Sequence, residues 1–136
     1  MNGFLYGGRV FADRRAAGRA LAQALSRFRH VPDVVVLALP RGGVPVAYEV
    51  AGFLDAPLDV YIVRKLGVPG QPEYAMGAIA SGGGRVLNEE VVHALRIDPA
   101  VIDAVAEKES REILGREQAF RAIRPPIYLS GRTVFV

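Results

Sequence analysis

Two runs of apolar residues, separated by a glycine-containing break and a helical pattern, constrain the fold more than any other feature of the sequence. The first run is VVVLAL at residues 34–39, and the second is LDVYIV at residues 58–63, which is apolar except for Asp59 and Tyr61. A continuous apolar run such as the first is typical of a strand buried on both faces of a parallel sheet, and the second is predicted to be the next buried strand. A helix is predicted between them, with Pro45 near its first turn. Its predicted buried face is Ala47, Val50, Ala51 and Leu54. This pattern predicts a right-handed βαβ unit, and so an α/β fold with a mostly parallel sheet and flanking helices.

The rest of the chain predicts further helices and one hairpin. Asp13 is the predicted N-cap of a helix that stops near His30, and Arg14 is a surface residue of its first turn. The predicted apolar face of this helix is Ala16, Ala20, Leu21, Ala24, Leu25 and Phe28. Asn88 and Asp98 are predicted to cap two later helices. Segments 74–80 and 85–88 flank SGGG, which predicts a hairpin.

Composition excludes several classes of function. The 136 residues suit one domain, and the chain contains no cysteine, which excludes disulfides, thiol nucleophiles and zinc–thiolate sites. No dense basic run alternates with aromatic residues, so we predict no nucleic-acid partner. No apolar run approaches the length of a membrane span, so we predict no membrane partner. The N-terminus is too short and too broken by glycine for a signal peptide, and the lack of cysteine is compatible with the cytoplasm, so we predict a cytoplasmic location.

The break after the first apolar run, Pro40-Arg41-Gly42-Gly43, has the chemistry of an anion site. Ligands of open α/β sheets bind at the carboxyl ends of strands, and a helix N-terminus there favours anions. Two glycines allow positive φ and a close approach of the backbone to a ligand, and Arg41 adds a planar fork for phosphate oxygens. The motif is neither a P-loop nor a dinucleotide fingerprint. It predicts a phosphate or diphosphate ligand, with a purely structural tight turn as the alternative.

Four blocks of sequence resemble, in the same order, the type I phosphoribosyltransferase family. They are LPRGGVPVA at residues 39–47, VRKLG at 63–67, PEYAMGAIA at 72–80 and RPPIYLSGRTV at 124–134. The resemblance implies transfer of the 5-phosphoribosyl group from phosphoribosyl diphosphate to a nitrogenous base, with release of diphosphate, as in nucleotide metabolism. It also implies Mg²⁺ bound with phosphoribosyl diphosphate rather than by protein ligands, and it leaves a homodimer open.

The resemblance also implies roles for individual residues. Diphosphate-binding residues would be Pro40, Arg41, Gly42, Gly43, Arg64 and Lys65, and catalytic residues would be Arg41, Lys65 and Glu73. A non-proline cis peptide would fall at Pro40–Arg41, and residues 66–74 would form a loop that closes over the site. The alternative for Glu73 is a solvated loop acid. Lys65 is alternatively a surface lysine at a strand end, and Arg64 is alternatively a surface residue.

One part of the family pattern is missing from the chain. The resemblance predicts a single domain over residues 1–136, with a helical insertion at about 88–123, that represents the N-terminal portion of the family fold. The acidic signature that grips the ribose and the 5-phosphate would begin immediately after Val136. We therefore expect the chain as given to be inactive or nearly so. Two alternatives remain: a regulatory module that binds nucleotides or phosphoribosyl diphosphate without catalysis, and a plain α/β domain.

Overall fold

The computed structural model describes residues 5–6 and 9–136, which form two compact units. The first unit holds the described residues up to Tyr61 together with Arg124–Val136, and the second holds Ile62–Ile123. The first contains β1 (Leu5–Tyr6), β2 (Arg9–Val10), α1 (Arg14–Ala24), β3 (Val34–Ala38), α2 (Gly43–Leu54), β4 (Leu58–Val60) and β8 (Thr133–Phe135). The second contains β5 (Val63–Val68), β6 (Gln71–Ala80), β7 (Arg85–Leu87), α3 (Glu89–Ala94) and α4 (Pro99–Arg121).

The first unit is built on the predicted parallel sheet. Its strand order is β4-β3-β8, and both neighbours run parallel to β3. All five residues of β3 are buried, as expected for a strand covered on both faces. The predicted buried face of α2 is confirmed in full, because Ala47, Val50, Ala51 and Leu54 are the buried residues of that helix. The α/β fold class with a parallel sheet and flanking helices is confirmed.

The predicted helix caps are confirmed because each depends on neighbouring residues alone. The Asp13 carboxylate accepts a hydrogen bond from a backbone N–H in the first turn of α1 at 2.7 Å. Asn88 caps α3 in the same way at 3.4 Å, and Asp98 caps α4 at 2.7 Å. Each side chain supplies an acceptor to a helix N–H that has no partner within its own helix.

The predicted apolar face of α1 is wrong in part. Leu21 is 45% exposed, and the buried residues of the helix are Gly18 and Ala22. A β-carbon on Gly18 would lie 2.8 Å from the carbonyl oxygen of Val46 in α2, so the two helices approach too closely for any side chain there. Hydrophobic periodicity does not mark such a contact, because the smallest residues make it. The helix also ends at Ala24, before the predicted stop, and a one-turn 3-10 helix follows at Ser26–Phe28.

The second predicted strand is wrong beyond Val60. β4 ends there, and Val63 begins β5, which pairs antiparallel with β6 in a separate sheet of order β5-β6-β7. The predicted hairpin is confirmed as β6 and β7. An apolar run does not show where one strand ends and a strand of another sheet begins. Periodicity alone therefore merged the two strands.

The helices of the second unit occupy the segment predicted as a helical insertion. α4 packs on β5 and β6, and its buried face includes Ile102, Ala106 and Ile113. Whether this segment is an insertion into a single domain stays a prediction. Among residues 5–6 and 9–136, no helix combines the length and apolar character needed to cross a membrane. The cytoplasmic location stays a prediction as well.

Candidate functional site

The turn predicted as an anion site connects β3 to α2 at the carboxyl end of the parallel sheet. The peptide bond between Pro40 and Arg41 is cis, as the resemblance implied. Arg41 and Gly42 are exposed, whereas Pro40 and Gly43 are half-buried. Arg41 and Gly42 are therefore the residues of the turn most accessible to a ligand.

Some of the backbone N–H groups of this turn are already used within it. Gly43 donates to the carbonyl oxygen of Leu39 at 2.9 Å, and Val44 donates to that of Arg41 at 3.1 Å. In the part of the chain that the structure describes, the N–H groups of Arg41 and Gly42 have no acceptor. These two N–H groups, rather than that of Gly43, are the donors open to an anion. The role of Gly43 in binding diphosphate stays a prediction, and its bond within the turn competes with that role.

The reason predicted for the glycines of the turn is wrong in one respect. Gly42 has φ −62° and ψ −29°, a conformation that any residue adopts, and Gly43 likewise has no positive φ. Close approach does apply at Gly42, but the group that approaches is a side chain of this protein. A β-carbon on Gly42 would lie 3.2 Å from Nε, 3.5 Å from Nη2 and 3.7 Å from Cζ of Arg14. Gly42 thus leaves room for a guanidinium group against the turn.

Sequence reasoning missed Arg14, which it treated as a surface residue of the first turn of α1. Its position follows from the contact between α1 and α2 at Gly18 and Val46. Arg14 lies one helical turn before Gly18, and Gly42 lies one turn before Val46. The contact between Gly18 and Val46 therefore also brings Arg14 close to Gly42. Gly18 in the middle of a helix was the available signal, because an interior glycine has a low helix propensity and marks a packing requirement. The sequence does not show what packs there.

The remaining candidate residues lie in the second unit. Arg64, Lys65 and Glu73 line an open groove of about 630 Å³ between the β5–β6 hairpin and α4. Lys65 lies inside β5, not at the end of a parallel strand as predicted. The loop predicted at 66–74 is wrong as secondary structure, because the segment consists of the end of β5, the turn Pro69-Gly70 and the start of β6. Its closure over the site stays a prediction. The antiparallel pairing of the two strands organises this segment.

Charges in the groove are partly compensated. Nε of Arg64 lies 2.8 Å from a carboxylate oxygen of Glu109 on α4, and both side chains are more than half buried. Lys65, Glu73 and Lys108 are exposed. Of the two predicted cations in this groove, Arg64 is committed to an ion pair in this conformation and Lys65 stays available to a ligand. The roles of all three predicted residues stay predictions.

Comparison with known proteins bears on the whole chain. Two relatives from Mycobacterium tuberculosis, both named "Putative phosphoribosyl transferase", are 53% identical to it over 128 residues, which is 94% of this chain. The fold matches the crystal structure of TT1426 from Thermus thermophilus with a TM-score of 0.72 and 42% identity, over 91% of this chain and 58% of that one. The chain is a relative of phosphoribosyl transferases. The predicted resemblance is thereby confirmed, although no family model matches the chain.

The relationship covers this chain far more completely than it covers the relatives. The chain spans 29% of the length of the two Mycobacterium tuberculosis relatives. The 94% of this chain that matches is long enough to include the turn after β3 and most of both units. The site described above therefore belongs to the portion that the phosphoribosyl transferase relatives share with this chain.

Proposed function

We propose that the turn after β3 binds the diphosphate group of 5-phosphoribosyl 1-diphosphate. We further propose that the protein transfers the 5-phosphoribosyl group to a nitrogenous base. The observation that carries the proposal is the pair of N–H groups on Arg41 and Gly42 that have no acceptor among the described residues, at the N-terminus of α2. The exposed guanidinium of Arg41 adds positive charge at the same place. The name of the relatives supports a transferase function in general.

The proposed chemistry gives this turn a specific task. A nitrogen of the base forms a bond to the anomeric carbon, and the bond from that carbon to diphosphate breaks with its electron pair staying on the diphosphate. Negative charge therefore grows on the leaving group in the transition state. Fixed N–H donors and a guanidinium at that position stabilise the charge without reorganisation, which is the general basis of electrostatic catalysis. Removing one charge-assisted donor is expected to cost about 1.5–3 kcal/mol.

Magnesium fits this site only as a partner of diphosphate. Among residues 5–6 and 9–136, no group of three or more His, Cys, Asp or Glu side chains is arranged to hold a metal ion. The donors of the turn are N–H groups and a guanidinium, which bind anions rather than cations. Mg²⁺ commonly coordinates phosphate oxygens of a substrate and keeps several waters. We propose that Mg²⁺ arrives with the diphosphate and neutralises part of its charge.

Calorimetric titration of the chain with inorganic diphosphate, with and without Mg²⁺, tests the binding step. We expect Arg41→Ala to weaken binding by about tenfold or more, because it removes a charge-assisted contact. Arg132→Ala is the matched control, since Arg132 precedes β8 at the amino end of the same sheet, where Thr133 pairs with Val34. Equal affinity of the Arg41→Ala and Arg132→Ala variants would exclude a role for the Arg41 guanidinium in binding diphosphate.

Release of diphosphate tests the transfer step. The full-length protein is incubated with phosphoribosyl diphosphate, Mg²⁺ and each nucleobase in turn, and the diphosphate formed is measured. We expect base-dependent release that falls in the Arg41→Ala variant. Tight binding of phosphoribosyl diphosphate without release under any base would instead favour the regulatory module.

The second-unit candidates require their own variants. We propose that Lys65 contributes to ligand binding, and that Arg64 contributes less because it is paired with Glu109. In the same titration, Lys65→Ala should weaken binding, and Lys108→Ala in the same groove is the control for a general loss of positive charge. Glu73→Gln tests the catalytic role of Glu73, which requires a lower rate of diphosphate release at unchanged affinity for phosphoribosyl diphosphate.

A further inference from the structure

The side chain of Arg14 is part of the turn that follows β3, although it comes from another element. A β-carbon on Gly42 would lie 3.2 Å from Nε and 3.7 Å from Cζ of Arg14. The guanidinium group of Arg14 therefore lies against Gly42. Arg14 is an exposed residue. Two arginines therefore lie at the exposed turn. Arg41 belongs to the turn itself, and Arg14 comes from α1.

The packing of α1 on α2 holds Arg14 in this place. Gly18 has no room for a side chain because a β-carbon would lie 2.8 Å from the carbonyl oxygen of Val46 and 2.9 Å from Cβ of Glu49. Both partners are backbone or near-backbone atoms, so the distance between the two helices is fixed within a small range. Helical side chains lean toward the N-terminus, which directs Arg14 along α1 toward the start of α2.

The acidic residue nearest to this helix contact is engaged by other arginines. Glu49 on α2 lies 3.1 Å from Nε of Arg15 and 3.7 Å from Nη1 of Arg19. The carboxylate of Glu49 is thus shared by two guanidinium groups of α1. Of the three arginines along this helix, Arg14 is the one whose guanidinium lies against the turn, whereas the other two lie against Glu49.

We propose that Arg14 is a second guanidinium ligand of the anion bound at the Arg41–Gly42 turn, and that Gly42 lacks a side chain so that this guanidinium can lie against the turn. The inference rests on the function proposed above. A guanidinium presents paired N–H donors that match two oxygens of one phosphate group. The guanidinium groups of Arg14 and Arg41, together with the N–H groups of Arg41 and Gly42, offer donors for two phosphate groups. We therefore expect the ligand to be a diphosphate rather than a single phosphate or a carboxylate.

The test compares the affinity of the full chain and its variants for inorganic diphosphate with Mg²⁺, measured by calorimetry. We expect Arg14→Ala to weaken binding about tenfold or more, and Arg14→Lys to recover part of the loss by keeping charge without the planar fork. Arg19→Ala on the same helix is the control and should bind like the wild type, since Arg15 still pairs with Glu49. Inorganic phosphate is titrated in parallel and should be affected much less by Arg14→Ala.

A double-mutant cycle separates ligand binding by Arg14 from a merely structural role. Gly42→Ala keeps the N–H group and a permitted backbone conformation, but its β-carbon would lie 3.2 Å from Nε, so the guanidinium must move away by a few tenths of an ångström. It should weaken diphosphate binding in the wild type and have little further effect in the Arg14→Ala background. Each variant is also checked by thermal unfolding, which both substitutions should change little.

The outcomes are distinguishable. If the wild type binds diphosphate and Arg41→Ala weakens binding but Arg14→Ala does not, the role of Arg14 is refuted and the proposed function stands. If the losses from Gly42→Ala and Arg14→Ala simply add, the glycine does not act through Arg14, and that half of the inference is refuted. If the wild type does not bind diphosphate at all, the proposed function fails and the inference fails with it.

Discussion

Replacement of Gly18 by alanine is the most informative single perturbation of this fold. Gly18 lies in the middle of α1, where alanine is favoured over glycine by about 1 kcal/mol when nothing else is in contact. Here the new methyl group would lie 2.8 Å from a carbonyl oxygen and 2.9 Å from Cβ of Glu49 in α2. Helix propensity and packing therefore predict opposite signs, and the structure decides between them.

The packing term is expected to dominate. Ordinary contact begins near 3.4 Å, so α1 and α2 must separate by about 0.5 Å at this point, and neither neighbour is the flexible end of a side chain. Overpacking of this kind typically costs about 1–3 kcal/mol. After the gain of about 1 kcal/mol in helix propensity is subtracted, we expect Gly18→Ala to lower the free energy of unfolding by up to about 2 kcal/mol.

Urea unfolding followed by circular dichroism measures this effect, with Gly52→Ala as the matched control. Gly52 is in α2 of the same unit, is exposed, and has nothing within 4 Å of its would-be β-carbon. Gly52→Ala should therefore raise stability by about 0.5 kcal/mol. If Gly18→Ala also stabilises the chain, α1 and α2 do not approach as described. The placement of Arg14 beside Gly42 would then lose its basis.

Substitutions at three further residues test other parts of the structure by the same unfolding assay or by hydrogen exchange. Asp98→Ala removes the side-chain cap on the N–H of Ala100 and should cost about 1 kcal/mol, whereas Asp98→Asn should cost much less. Asp59 is 8% exposed, and its Oδ2 accepts a hydrogen bond from the N–H of Ile127 at 3.0 Å. Asp59→Ala should therefore destabilise the first unit by about 1–3 kcal/mol, and a smaller effect than that of Asp98→Ala would contradict this hydrogen bond. Gly77→Ala would overlap a backbone carbonyl of β7 and should disrupt the second-unit sheet, visible as lost amide protection in hydrogen exchange; unchanged protection would refute that strand pairing.

Features that depend on local sequence were predictable. Caps such as Asp13 and Asp98 act on N–H groups two or three residues away, so the chain itself brings the partners together. The buried face of α2 was predicted because its apolar residues follow the helical period and pack on a sheet that needs cover. The resemblance, rather than any physical rule, placed the cis bond after Pro40.

Features that depend on packing between distant segments were not predictable. Arg14 reaches Gly42 only because α1 contacts α2 at Gly18, and small residues at a contact leave no hydrophobic signal. Lys65 was assigned to a strand end because an apolar run does not reveal that its residues pair with β6 in another sheet. Both errors concern which segments meet, which the sequence of a single segment does not specify.

The central claim is that an anion binds the N–H groups of Arg41 and Gly42. Titration of ¹⁵N-labelled chain with inorganic diphosphate and Mg²⁺, followed by two-dimensional NMR of the backbone amides, tests it most directly. We expect the largest chemical-shift changes at the amides of Arg41 and Gly42, saturating with the affinity measured by calorimetry, and smaller changes at Gly43, whose N–H is bonded to Leu39. Saturable binding that leaves the Arg41 and Gly42 amides unshifted would contradict the account.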